Sequence, residues 1–139
     1  MNEENLTNKE RYARGIEKLK ELSGGSESGG AGGEMVNWLD QIAPDVSKYA
    51  MEFVLGDVLS RPGLDTKTRE MLNIAVLTAI QAPIELKLHI NCGLEAGLTR
   101  DEVIEIISQQ IVYVGFPIAI NGLHAAKEVF EERDARGLS

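Results

Sequence analysis

Three side chains able to move protons stand close together in this sequence: Glu70, Glu85 and His89. Glu85 and His89 are four residues apart, so on a helix they lie one turn from each other and within mutual reach. A helical wheel for this segment groups Lys87, Asn91 and Glu95 on one polar face, expected to meet solvent. His89 falls roughly opposite, with Glu85, Cys92 and Ala96 on its side. An acid and an imidazole then point inward, where neither is stable without a partner. Such a pair reads either as a core histidine held by a carboxylate or as an acid–base couple, because an imidazole titrates near working pH.

Glu70 shares a stripe with Ile74 and Leu77 on a helix that is otherwise almost wholly apolar. It is either a second inward carboxylate or a wet residue of the first turn that favours the helix dipole. Arg61 and Arg69 flank it, and either can grip a carboxylate through two parallel hydrogen bonds or serve in a surface or intersubunit ion pair. His124 falls among Asn121, Glu128 and Glu131 and is expected to be exposed, an accessory group at most. Cys92, one turn from His89, is read as a packing residue with a reactive thiol as the alternative. Glu70, Glu85 and His89 lack the paired His or Cys spacing of a specific metal site, so no metal and no cofactor are expected.

Helices must position these groups. Thr7 with Glu10 and Thr99 with Glu102 are capping-box patterns. They start expected helices at 8–22 and 100–114. Pro44 and Pro83 suit first turns of helices over 44–59 and 83–97. Asp65 can cap a helix over 66–81, apolar nearly all round and so expected to be buried on every side. A short helix is expected at 34–41 and a last one from Gly115-Phe116-Pro117 to about residue 133. Residues 23–33 hold six glycines and no Gly-Lys-Ser/Thr ending, which predicts a flexible loop and not a phosphate cradle. The expected division is therefore an N-terminal helix and loop over 1–33 and a helical domain over 34–139. No segment alternates apolar and polar residues over strand lengths, so the fold class is all-α.

The 139 residues suffice for a core without staples, and the single cysteine excludes an internal disulfide framework and fits a reducing cytosol. Charged residues from Glu3 to Lys20 leave no apolar run for a signal peptide or membrane span. A net charge of -8, with no basic cluster, makes nucleic acid a poor partner. A soluble cytoplasmic protein acting on a small molecule is the expectation.

Several segments, in one order, resemble the carboxymuconolactone decarboxylase family: FVLGDVLSRPGLD (53–65), TRE (68–70), ELKLH (85–89), GLTRDE (97–102) and YVGFPIAIN (113–121). The resemblance runs from the first helix to Glu131. It implies an alkylhydroperoxidase D-like helical bundle of about six or seven helices. It also implies a homohexamer built as a ring of dimers, and conversion of 4-carboxymuconolactone to 3-oxoadipate enol-lactone in aromatic catabolism. His89 would be general acid, Glu85 or Glu70 would orient it, and Arg61 or Arg69 would hold substrate carboxylates. The related alkylhydroperoxidase D proteins carry Glu-x11-Cys-x2-Cys-x3-His, and here Ala82 and Glu85 stand at the two cysteine positions. Both thiols of that peroxidase are gone, which leaves peroxidase (peroxiredoxin-like) chemistry through Cys92, or a catalytically silent binding subunit, as the alternatives.

Overall fold

A computed structural model of the protein describes residues 5–27 and 29–139. Residues 1–4 of the expected N-terminal segment, and Ser28 of the glycine-rich stretch, lie outside the described residues. All regular structure among the described residues is helical, and no helix there is long and apolar enough to cross a membrane. By their internal contacts the residues up to Asp65 and those from Thr66 form two compact units. The boundary expected at residue 33 falls inside the first.

In the first unit, α1 (Asn8–Leu22) opens on the capping box at Thr7, whose backbone N–H donates to Glu10 at 2.7 Å. Its apolar residues Tyr12, Ile16 and Leu19, at spacings of four and three, read from sequence as one packing face, yet Tyr12 and Ile16 are 40% and 45% exposed and Leu19 is half-buried; the buried positions are Gly15 and Leu22. Backbone contact explains the difference. A Cβ on Gly15 would lie 2.2 Å from the Met51 carbonyl oxygen, and one on Gly56 would lie 2.0 Å from that of Arg11. Glycine at both positions lets α1 lie directly on the 51–56 backbone. The expected helix over 44–59 is accordingly not one regular helix. It is α3 (Pro44–Tyr49), a π-helical stretch over Ala50–Leu55 and a 3₁₀ turn at Val58–Ser60. The wide turn coincides with the crossing, and Gly56 N–H reaches back five residues to Met51. Between them α2 (Gly30–Ile42) starts earlier than composition suggests, so part of the glycine-rich stretch is helical.

The second unit contains α4 (Thr66–Ala79), α5 (Pro83–Glu95), α6 (Arg100–Gln109), α7 (Ile111–Val114) and α8 (Phe116–Ala135). The expected helix over 100–114 is divided at Gln110, a buried residue whose side chain donates to the Ile106 carbonyl. Ile74, Ile90, Val103, Ile107 and Val129 are fully buried at the centre, each contributing about 1.5–3 kcal/mol. Their helical spacing puts one face of every long helix into this core.

Two expected faces are covered unevenly. Lys87 and Asn91 are partly buried and Glu95 is exposed, and all three side chains also meet α8. Lys87 bridges Glu132 (2.9 Å) and Glu128 (3.2 Å), while the buried Arg133 donates to Asn91 (3.1 Å) and Glu95 (3.0 Å). A polar stripe can pack inward when the facing helix supplies complementary charge. On α4, by contrast, Glu70, Ile74 and Thr78 are buried, while Leu72, Val76 and Ile80 remain 54%, 50% and 64% exposed. The neighbours α5, α6 and α8 cover only one side of that helix.

α4 and α5 are joined by a tight turn in which Ala82 N–H donates to the Leu77 carbonyl and Gln81 N–H to that of Thr78. This is a Schellman-type ending, and its left-handed residue is Gln81, with φ 58. A non-glycine residue there costs about 1 kcal/mol.

Candidate functional site

The turn returns the chain antiparallel, so Glu70 and Asn73 on α4 face Glu85, His89 and Cys92 on α5. Gly93, one turn after His89, packs in the core beside these groups: a Cβ there would lie 2.8 Å from Leu98 Cδ1 and 3.2 Å from Ile74 Cδ1, and at ordinary contact distance, 3.6 Å, from Glu70 Cβ.

His89 Nδ1 and Glu70 Oε2 are 2.7 Å apart, with the Glu70 side chain 1% exposed and that of His89 15%. A carboxylate can only accept, so Nδ1–H donates, and Nε2 is left as the nitrogen available to other molecules. Nε2 lies 3.8 Å from Glu85 Oε2, whose side chain is 46% exposed. The i, i+4 spacing therefore brings Glu85 near the ring, but the hydrogen-bonded partner comes from the other helix. Of the two readings of Glu70, the inward one is what the structure displays.

Asn73 completes the arrangement and was missed by sequence reasoning. Its amide lies 3.5 Å from Glu70 Oε1, a long hydrogen bond to the oxygen that His89 does not use, and 3.4 Å from His89 Nδ1. Its signal was present. Asn73 and Thr78 are the polar interruptions in the apolar run of α4, and Thr78 satisfies itself by donating to the Ile74 carbonyl. Asn73, three residues after Glu70, directs its amide to another side chain.

Cys92 is buried, and the Glu70, His89 and Cys92 donor atoms lie within 4.8 Å of one another. Burial, with the nearby Glu70 and Glu95 carboxylates adding to it, pushes its thiol far above the usual cysteine range. In the protein alone the group is held as a neutral thiol, a poor nucleophile. Glu70 and His89, already bonded to each other, are the pair suited to proton transfer.

Of the other expected residues, Arg69 precedes Glu70 on α4 and is half-buried. Arg61 lies in the first unit, where Nε donates to Asp57 at 3.1 Å. His124 is exposed on α8, its Nδ1 3.5 Å from Glu128, and does not join the Glu70–His89 cluster.

Comparison with known proteins gives a consistent result. Residues 44–128, which include every member of the cluster, match the carboxymuconolactone decarboxylase family. The chain is 32% identical over 127 residues to 4-carboxymuconolactone decarboxylase of Acinetobacter baylyi, covering 91% of this chain and 92% of that protein. It is 32% identical over 98 residues to an uncharacterized 15.0 kDa protein of Paracoccus denitrificans, covering 69% and 73%. It is 30% identical over 86 residues to nitrosuccinic acid decarboxylase npaB of Metarhizium robertsii, covering 62% and 60%.

Two measurements check the geometry. Imidazole ¹⁵N shifts of His89 are expected to report a protonated Nδ1, a preference abolished in Glu70→Gln and weakened in Asn73→Ala; an unchanged tautomer in Glu70→Gln would refute the pairing. Iodoacetamide at pH 8 should leave Cys92 unmodified in the folded protein and alkylate it in urea, and rapid labelling of the native state would contradict a neutral buried thiol.

Proposed function

The chain belongs to the carboxymuconolactone decarboxylase family, and from that membership and the Glu70–His89 pair we propose that it is a cofactor-free carboxy-lyase acting on a small lactone acid. The proposed reaction is conversion of 4-carboxymuconolactone to 3-oxoadipate enol-lactone or a close analogue, within aromatic catabolism in the cytoplasm. Two relatives are named as decarboxylases of different acids, so reaction class is the firmer part of the reading and substrate the finer part.

The single observation that carries it is an imidazole fixed at Nδ1 by a buried carboxylate. In the proposed reaction the bond between the ring carbon and its carboxylate carbon breaks and CO₂ leaves. The electron pair delocalises through the unsaturated lactone onto its carbonyl oxygen. His89, as imidazolium, passes its Nε2 proton to the ring carbon next to the lactone carbonyl, so that the double bond moves to the carbon that lost CO₂, and is left neutral with Nδ1–H still donated to Glu70. Bulk water then reprotonates Nε2. Glu70 orients the ring, and Glu85, half in solvent beside Nε2, is a second orienting group. Arg69 is proposed to hold a substrate carboxylate, offsetting locally the repulsion expected from a net charge of -8.

Incubation with 4-carboxymuconolactone should release CO₂, with His89→Gln slowing turnover by about 10² to 10⁴ and Cys92→Ser changing it only a few fold. Turnover of an organic hydroperoxide with a thiol, abolished by Cys92→Ser, would replace the proposal with the peroxidase reading. Activity in neither assay would favour a silent binding subunit.

Assembly belongs to the same proposal. Exposed Leu72, Val76 and Ile80 on α4, and Val112, Tyr113 and Phe116 at the α7–α8 bend, form apolar surface that closed symmetry would bury. A homohexamer built as a ring of dimers is the expected state, in which a neighbouring subunit's Arg61 or His124 could complete the site. Light scattering should give a mass near six times 15.2 kDa. A stable folded monomer would remove both the assembly and the shared site.

A further inference from the structure

The second unit contains a cleft of about 400 Å³ between the end of α4, the start of α5 and the first half of α8. Glu70, Asn73, His89 and Cys92 do not line it. α5 presents Leu86 and Lys87 to the cleft. By its lining the cleft is separate from the carboxylate–imidazole pair.

Its rim includes Gln81, in the left-handed conformation. Among the described residues Gln81 is the only non-glycine with positive φ; the seven others are all glycine. Elsewhere, then, this chain meets that backbone requirement with the residue that bears it without strain. At the cleft a side chain is kept despite the strain, and what glutamine has and glycine lacks is an amide that can reach a ligand. Backbone strain retained at a cleft is a recognised mark of function.

The lining indicates what kind of molecule fits. Leu77, Leu86 and Ile118 supply an apolar base, while Gln81, Asn121 and His124 supply polar groups at the rim. The cation present, Lys87, is engaged by Glu128 at 3.2 Å and Glu132 at 2.9 Å. An anionic ligand would have to displace one of those carboxylates and would face the other. An uncharged ligand meets amides that both donate and accept. The volume lies toward the low end of the roughly 300–1,000 Å³ typical of small-molecule sites, suited to a single ring.

We propose that this cleft binds an uncharged single-ring compound bearing a hydroxyl or carbonyl group, its polar group held by Gln81, Asn121 and His124 and its ring seated on Leu77, Leu86 and Ile118. The site uses neither Glu70 nor His89, and its test involves no turnover.

The experiment is a ¹H–¹⁵N titration of the full chain with phenol and γ-butyrolactone as uncharged probes, and with benzoate as an anionic control. At least one uncharged probe should give saturable shifts centred on residues 81, 121 and 124, with benzoate at least tenfold weaker. Gln81→Gly, which relieves strain and so keeps the fold, should weaken that binding at least fivefold, as should Asn121→Ala. His89→Gln should leave it unchanged. Saturation by neither uncharged probe, equal affinity for benzoate, undiminished binding by Gln81→Gly, or shifts centred on His89 would each overturn the proposal.

Discussion

A carboxylate that is 1% exposed must be answered by a donor, because an ionised group left unpaired away from water is destabilised by several kcal/mol. Glu70 is that carboxylate, and much of the second unit's arrangement around it follows from the need to satisfy it. His89 Nδ1 supplies the strong hydrogen bond and Asn73 a longer one, so both carboxylate oxygens have neighbours able to donate. The donors come from two helices. α4 and α5 must therefore run antiparallel with little between them, which the Schellman-type turn at Gln81 permits.

The same pairing gives the ring its direction. With Nδ1 committed to Glu70, proton exchange with any other molecule goes through Nε2, and Glu85 stands near that atom while remaining half in water. Cys92 shares the cluster but not the chemistry, since burial and neighbouring carboxylates keep its sulfur protonated.

Helical periodicity located the packed face of α5 on the His89 side and could not name the partners of the opposite one. Lys87, Asn91 and Glu95 are polar, and polarity alone predicts solvent; Arg133, Glu128 and Glu132 lie 42 or more residues away in the case of Asn91–Arg133 and Lys87–Glu132, beyond the reach of a local wheel. The α1 face failed for a related reason. Tyr12 and Ile16 look like a packing stripe, but backbone contact at Gly15 and Gly56 decides which side of the helix is covered. A hydrophobic scale assigns little weight to the absence of a side chain.

By itself the sequence determined the helical class, the start of α1 and α6 through their capping boxes, the family, and the short set of residues able to transfer protons. These are local or compositional properties: a cap needs three residues' separation, and a helical face needs a few turns. Tertiary structure decided which carboxylate bonds to His89, that Asn73 belongs to the same cluster, and that Cys92 is a buried neutral thiol. It alone could do so, because i, i+4 spacing makes Glu85 the obvious partner. Glu70, nineteen residues away, comes to 2.7 Å only when the α4–α5 turn closes.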